Sequence, residues 1–373
     1  MPTLPGLEHH PHARAVLEPA FAPGATPSHA YLFHGPAGTG KRTVARALAA
    51  QLLGEHDRVE RGTHPDLTWV TPSGAHELLV SDVDEAVVAA ATRTPFEAAK
   101  RVFVIERADT MIEQAANRML KTLEEPPGFV HLILLTDRLG EVLPTIASRC
   151  QHVRFDPLPP ERMAERLRQR GVEDGTMALA CARLALGDGA RAAALALGDG
   201  PELRAEAEAF AVAAQAGDLA SRPWATLLER AEARGIVARA EVDAAFAADR
   251  ELLAKRDRRR AETEHAERAR RVHRRARTQA LDLGLQLVAL WFRDLAAVAW
   301  GAEDVVYAVD RLPALRAAAG GADPASFRRA VELVEETRER LLLNVSEELA
   351  CEALAYRLEA EVGGVEPLLA TSD

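Results

Sequence analysis

The 373 residues are too many for one ordinary domain, so two or three domains follow from length. With 48% hydrophobic but only 5% aromatic residues, and Ala, Leu, Glu and Arg dominant, the composition is that of a helix-rich protein. A net charge of −10 argues against a free-standing nucleic-acid binder, and three scattered cysteines (Cys150, Cys181, Cys351) indicate neither a disulfide framework nor a zinc site. No signal-peptide pattern is present and no apolar run is long enough to cross a bilayer, so the expected location is cytoplasmic.

Three histidines, His9, His10 and His12, open the chain; without regularly spaced acidic or Cys partners they read as an exposed loop, with metal binding as the alternative. Residues 1–158 then read as α/β. Short apolar runs at 30–33, 67–70, 101–106 and 131–136 predict buried strands of a parallel sheet. Helical patterns fall at 43–54, 85–93 and 113–125, the last stopped by Pro126 and Pro127. From residue 159 the pattern is helical only. A small helical domain is predicted over 159–203, with the repeated LALGDG (184–189 and 195–200) marking helix ends, and an Ala-rich helical domain over 204–373 with a frayed tail after about 361. Residues 255–277 hold eleven Lys or Arg and four Asp or Glu. They read as the solvated face of a long helix, with a nucleic-acid or acidic-partner patch as the alternative.

The stretch FHGPAGTGKRTVAR (33–46) approaches the phosphate-loop pattern G-x-x-x-x-G-K-[ST], with Gly35, Gly38, Gly40 and Lys41 placed to cradle phosphate at a helix N-terminus. Arg42 stands where the hydroxyl that holds Mg²⁺ belongs, and Thr43 is turned by about 100° along the helix. A second hydrolytic element should follow an apolar strand. After the strand VFVI come Glu106, Arg107, Ala108 and Asp109, so Arg107 replaces the carboxylate that would polarise water. Two altered elements in one direction suggest a site that no longer hydrolyses.

Further along, ANRMLKTLEEPP (116–127) and LPTIASRCQ (143–151) carry a resemblance to bacterial DNA polymerase III clamp-loader subunits of the AAA+ class. HPDLTWVTP (64–72), ERADTM (106–111) and, more distantly, LLLNVSEELACEALAYRLE (341–359) add to it. The resemblance implies an AAA+ P-loop α/β domain with a parallel sheet, a small helical lid and an all-α collar for oligomerisation. Residues 44–100 contain no Cys, so the zinc module of the motor subunits is excluded on ligand count. The chain is therefore most similar to the non-motor, delta-prime type.

The resemblance further implies that Arg149, in Ser-Arg-Cys, acts as an arginine finger on a neighbour's γ-phosphate. It places Thr136 and Asp137 where a γ-phosphate sensor sits and Arg191 near a lid sensor position, each with a structural role as the alternative. Cys150 reads as a buried packing residue. Implied partners are motor subunits of the tau/gamma type, the delta subunit, and, through the complex, the sliding clamp and primer-template DNA. No cofactor is required; the retained Lys41 and glycines leave ATP or ADP binding without hydrolysis open. The rival readings are an active clamp-loader ATPase and a DNA-binding regulator using 255–277.

Overall fold

The computed structural model describes residues 4–22, 24–72, 78–250, 255–320, 323–341, 343 and 345–363. The chain divides into two compact units, one of residues 1–159 with 187–190 and one of 160–186 with 191–373.

In the first unit, helix α1 (Pro11–Leu17) leads to strand β1 (Ala30–His34), helix α2 (Lys41–Leu53), a short helix α3 (His56–Glu60) and strand β2 (Leu67–Val70). Helix α4 (Val80–Val83) continues as a π-helical turn, Asp84–Ala89, where a regular helix is expected over 85–93. Strand β3 (Arg101–Ile105), helix α5 (Glu113–Glu124), strand β4 (Val130–Thr136), helix α6 (Pro144–Ala147) and strand β5 (Gln151–Arg154) complete it. The five strands are parallel, in the order β2-β3-β4-β1-β5.

Both faces of the sheet are covered, so its central strands are continuously apolar. Alternation along each strand sorts the side chains. Leu32, Phe103, Ile105, Leu132 and Leu134 pack with α4 and α5, whereas Tyr31, Phe33, Val102, Val104, Ile133 and Leu135 pack with α1 and α2. Asp66, fully buried, accepts from the backbone N–H groups of Phe96, Glu97 and Ala98 at 2.6–3.0 Å and so fixes the loop entering β3. β5 is an edge strand with only Val153 buried, which is why its sequence lacks an apolar run.

Of the N-terminal histidines expected in an exposed loop, His9 lies in a turn and His10 is the N-cap of α1, while His12 is within the helix and exposed. Pro11 occupies the first turn of α1, where its missing N–H costs nothing, and His10 is buried against the ring of Phe155.

The second unit is helical: α7 (Pro160–Gln169), α8 (Gly175–Leu184), α9 (Gly189–Ala196, whose first two residues belong with the first unit), α10 (Gly200–Ala216), α11 (Trp224–Arg250), α12 (Lys255–Ala299), α13 (Leu312–Ala319), α14 (Pro324–Leu341) and α15 (Glu347–Val362). The division expected between residues 203 and 204 falls inside α10. Immediately after it, Arg204 donates to both Asp310 oxygens at 2.9 and 3.0 Å and to Cys181 of α8 at 3.3 Å, so one buried cluster spans the expected lid and collar. The charged run lies on α12, whose C-terminal half supplies Leu285, Val288, Phe292 and Leu295 to the core. The expected tail, 364–373, lies outside the described residues.

Candidate functional site

In an open parallel sheet, ligands bind beyond the carboxyl ends of the strands, where strand order reverses. Here β1 lies between β4 and β5, with His34 opposite Thr136 on one side and Arg154 on the other. The loop after β1 (35–40), Glu106 after β3 and Asp137 after β4 therefore emerge along one edge.

The glycines of the loop are required sterically. Gly35 has φ +143°, and a Cβ there would lie 2.0 Å from the Phe155 carbonyl oxygen. At Gly38, φ is +68° and a Cβ would meet the Asp188 carboxylate at 1.7 Å. The Gly189 N–H donates to the Gly38 carbonyl at 3.1 Å, so the turn at 187–190, in the first LALGDG copy, caps the loop. Gly40 precedes α2, beside His10.

Lys41 is buried and fully engaged. Its Nζ donates to the Gly35 and Pro36 carbonyls at 2.6 Å each and pairs with Asp137 Oδ1 at 2.7 Å. A phosphate accepting from Lys41 would compete with Asp137 for it. Thr43 is exposed. Arg42 reaches across to Glu106: Nε lies 2.8 Å from Oε1, which also accepts the Trp69 indole N–H at 2.5 Å. The carboxylate that could approach a metal is thus held by a cation and a donor. The residues present do not fit Mg²⁺: Arg42 offers no lone pair, and its charge opposes a second cation at Glu106.

Arg107 adopts the left-handed conformation, φ 54° and ψ 48°, and opens a tight turn in which its carbonyl accepts from Thr110 N and Oγ1, both at 2.8 Å. Thr136 donates to Asp109 at 2.8 Å and accepts from Arg138 N at 3.0 Å, while the Arg138 guanidinium binds Asp109 at 3.1 Å. The sensor-position threonine is part of a closed polar network. In the second unit, Arg191 donates to Gln286 of α12 at 2.5 Å.

Arg149 follows α6 at the surface of the first unit. Its Nε donates to Glu124 at 2.8 Å, a second guanidinium nitrogen also binds Glu124, and Nη1 donates to the Thr145 carbonyl at 2.9 Å. One-third of the side chain remains exposed, at 34%. Cys150, beside it, is buried, and burial pushes its thiol up to about 12, which removes it as a nucleophile. Among the described residues, no group of three or more His, Cys, Asp or Glu could hold a metal ion. No helix of the described residues is long and apolar enough to cross a membrane.

Sequence reasoning did not find the partners that occupy these groups. Asp188 lay within a repeat read only as a helix end, and Glu124 within a motif read as a helix stop and a family resemblance; neither sequence signal carries a distance.

Residues 10–159 match the family described as DNA polymerase III, delta subunit. The chain is 38% identical over 158 residues to the DNA polymerase III subunit delta′ of Bacillus subtilis, covering 39% of this chain and 47% of that one. It is 37% identical over 136 residues to the Pseudomonas aeruginosa subunit delta′ (33% and 42%), and 31% identical over 178 residues to subunit gamma/tau of Mycobacterium tuberculosis (44% and 31%). The match thus spans about half the length of the curated delta′ relatives. Among solved structures, a gamma subunit-related protein of Thermotoga maritima aligns with 88% of this chain and 94% of its own, at 16% identity and a TM-score of 0.45.

Proposed function

We propose, because this chain belongs through residues 10–159 to the DNA polymerase III delta-prime clamp-loader family, that it is a non-hydrolysing clamp-loader subunit in DNA replication. The observation that carries the loss of hydrolysis is the Arg42–Glu106 ion pair. It brings together the two positions a phosphate-loop ATPase needs for metal and replaces metal binding with an internal contact. Arg107 removes the water-activating carboxylate as well, and Lys41 is satisfied by the chain's own carbonyls and Asp137.

What remains for catalysis is a contribution in trans. Arg149 sits at the surface with Nε and a second guanidinium nitrogen both donating to one Glu124 oxygen, a place that a single phosphoryl oxygen can take. In the assembled loader, Arg149 exchanges Glu124 for the γ-phosphate of a neighbouring motor subunit and neutralises charge as the terminal bond breaks. The partners are motor subunits of the gamma/tau type and a delta subunit, and the assembly acts on a sliding clamp and primer-template DNA. ATP or ADP, where bound here, serves without hydrolysis.

The reading is tested with the purified full-length chain. It should release phosphate from ATP at background rate with Mg²⁺ present, and should co-purify with a tagged gamma/tau-type subunit. Turnover near ~1 s⁻¹, the low end of ordinary enzymes, lost in Lys41→Ala, would establish the rival reading of an active ATPase, which the retained cradle and Lys41 favour. Failure to join the motor subunit would defeat the clamp-loader assignment itself.

A further inference from the structure

Helices α11 and α12 bound a groove of about 390 Å³ in the second unit. Every side chain lining it is charged or titratable. At one end the side chains are paired with one another. Arg277 lies between Glu232 at 3.3 Å and Glu347 at 2.6 Å, and His273 lies 3.1 Å from Glu232. Arg239 is paired along α11 with Asp243 at 3.4 Å. Arg270 and Arg274 differ: both line the groove, both are exposed, and among the described residues no carboxylate comes within 4.0 Å of either. They stand one helical turn apart, about 6 Å along the axis. The two helices approach closely beneath them: a Cβ on Gly235 of α11 would lie 3.0 Å from His273 Nε2 and 3.1 Å from the His273 carbonyl oxygen.

We propose that this groove binds successive phosphates of a nucleic-acid backbone through Arg270 and Arg274. Guanidinium groups that are exposed, unpaired and ranged along an axis suit a repeating anion; one small phosphate needs donors converging on a point. An acidic peptide would need apolar anchors to dock tightly, and the groove offers none. Without aromatic side chains to stack on bases, binding is sequence-tolerant. The chain's net charge of −10 keeps the attraction local and strongly salt-dependent. The proposal does not rest on the clamp-loader reading, because the residues belong to a different unit from the phosphate loop and Arg149.

The test is fluorescence anisotropy of a labelled, mixed-sequence single-stranded oligonucleotide with the full chain, from about 50 to about 200 mM salt. Wild-type protein should bind with an affinity that falls with salt. Arg270→Gln/Arg274→Gln should weaken binding about tenfold at low salt and reduce the logarithmic salt slope by about 1.4, the loss of two single-strand phosphate contacts. Arg271→Gln, whose residue pairs instead with Glu267, should bind like wild type. Equal binding by the double variant and wild type, or no binding by wild type at low salt, would overturn the proposal. Displacement by inorganic phosphate beyond that by chloride of equal ionic strength would assign the groove to free phosphate, and tighter binding of polyglutamate would assign it to an acidic peptide. Either result also overturns it.

Discussion

Arg42 and Lys41 are adjacent in sequence but meet different acids, Glu106 and Asp137, and each contact occupies a group that nucleotide hydrolysis would need. The contacts differ in strength of hold. Asp137 is half exposed, at 50%, so its pair with Lys41 is screened by water and is worth at most about 1 kcal/mol. Asp137→Asn should therefore tighten binding of a fluorescent ADP analogue by up to about fivefold without added Mg²⁺, read by titration of the full chain. Unchanged or weaker binding would show that Asp137 does not compete with phosphate. Much of this site is legible in the sequence: the glycine pattern, Lys41, and the substitutions at 42 and 107 are all readable as chemistry. The ion pairs are not, because Arg42 and Glu106 are 64 positions apart and meet only through the parallel register of β1, β4 and β3. Arg149 is legible only by resemblance; nothing in its spacing announces that Glu124 and the Thr145 carbonyl hold it.

Among the elements, the strands with apolar runs were the ones a hydrophobic pattern could reveal, including the edge strand β2 with Leu67, Trp69 and Val70. β1, β3 and β4 read as apolar runs because helices cover both sides, whereas β5 exposes all but Val153 and leaves no such mark. α1 was obscured by its histidines and by Pro11, a residue that favours a helix start yet also punctuates loops. Two histidines of the sheet give the first unit a pH dependence. Burial, then the charges of His152, Arg154 and Lys41, hold His34 below its ordinary value. Burial likewise lowers His131, whose Nδ1 donates to the Ser28 carbonyl at 2.9 Å, leaving Nε2 to accept from Lys100 at 2.8 Å. A depressed histidine pKa means the folded state prefers the neutral ring. Its contribution is fully present above the unfolded value near ~6.5 and is lost as pH falls through the lower folded value. Thermal melts followed by hydrogen exchange in β1 and β4 should show the first unit weakening from about pH 7.5 to about pH 5.5. His34→Gln/His131→Gln should flatten that dependence; the same slope in wild type and variant would exclude these two rings as its source.

For the whole molecule, the family match and the glycine loop with Lys41, Arg42 and Arg149 lie in residues 10–159, while most of the remaining chain forms the helical unit. Sequence punctuation at residues 157–160, where prolines end the α/β pattern, lies at the end of the 1–159 stretch of the first unit but gives no sign that residues 187–190 group with it. It could not reveal that α10 runs through residue 203 or that Arg204 ties α8 to Asp310, because helix follows helix there without a change of period. The central claim is that a chain unable to hydrolyse ATP lends Arg149 to a neighbour. It is tested most directly by reconstituting the loader with wild-type, Arg149→Ala or Arg149→Lys protein, confirming assembly by gel filtration, and measuring DNA- and clamp-stimulated ATP hydrolysis together with clamp loading. A finger accelerates the site it serves by about 10³–10⁵, so Arg149→Ala should nearly silence one motor site, lowering total hydrolysis in part and clamp loading further. Lys should rescue poorly, lacking the planar fork. Wild-type rates of hydrolysis and loading in a fully assembled Arg149→Ala complex would contradict the account.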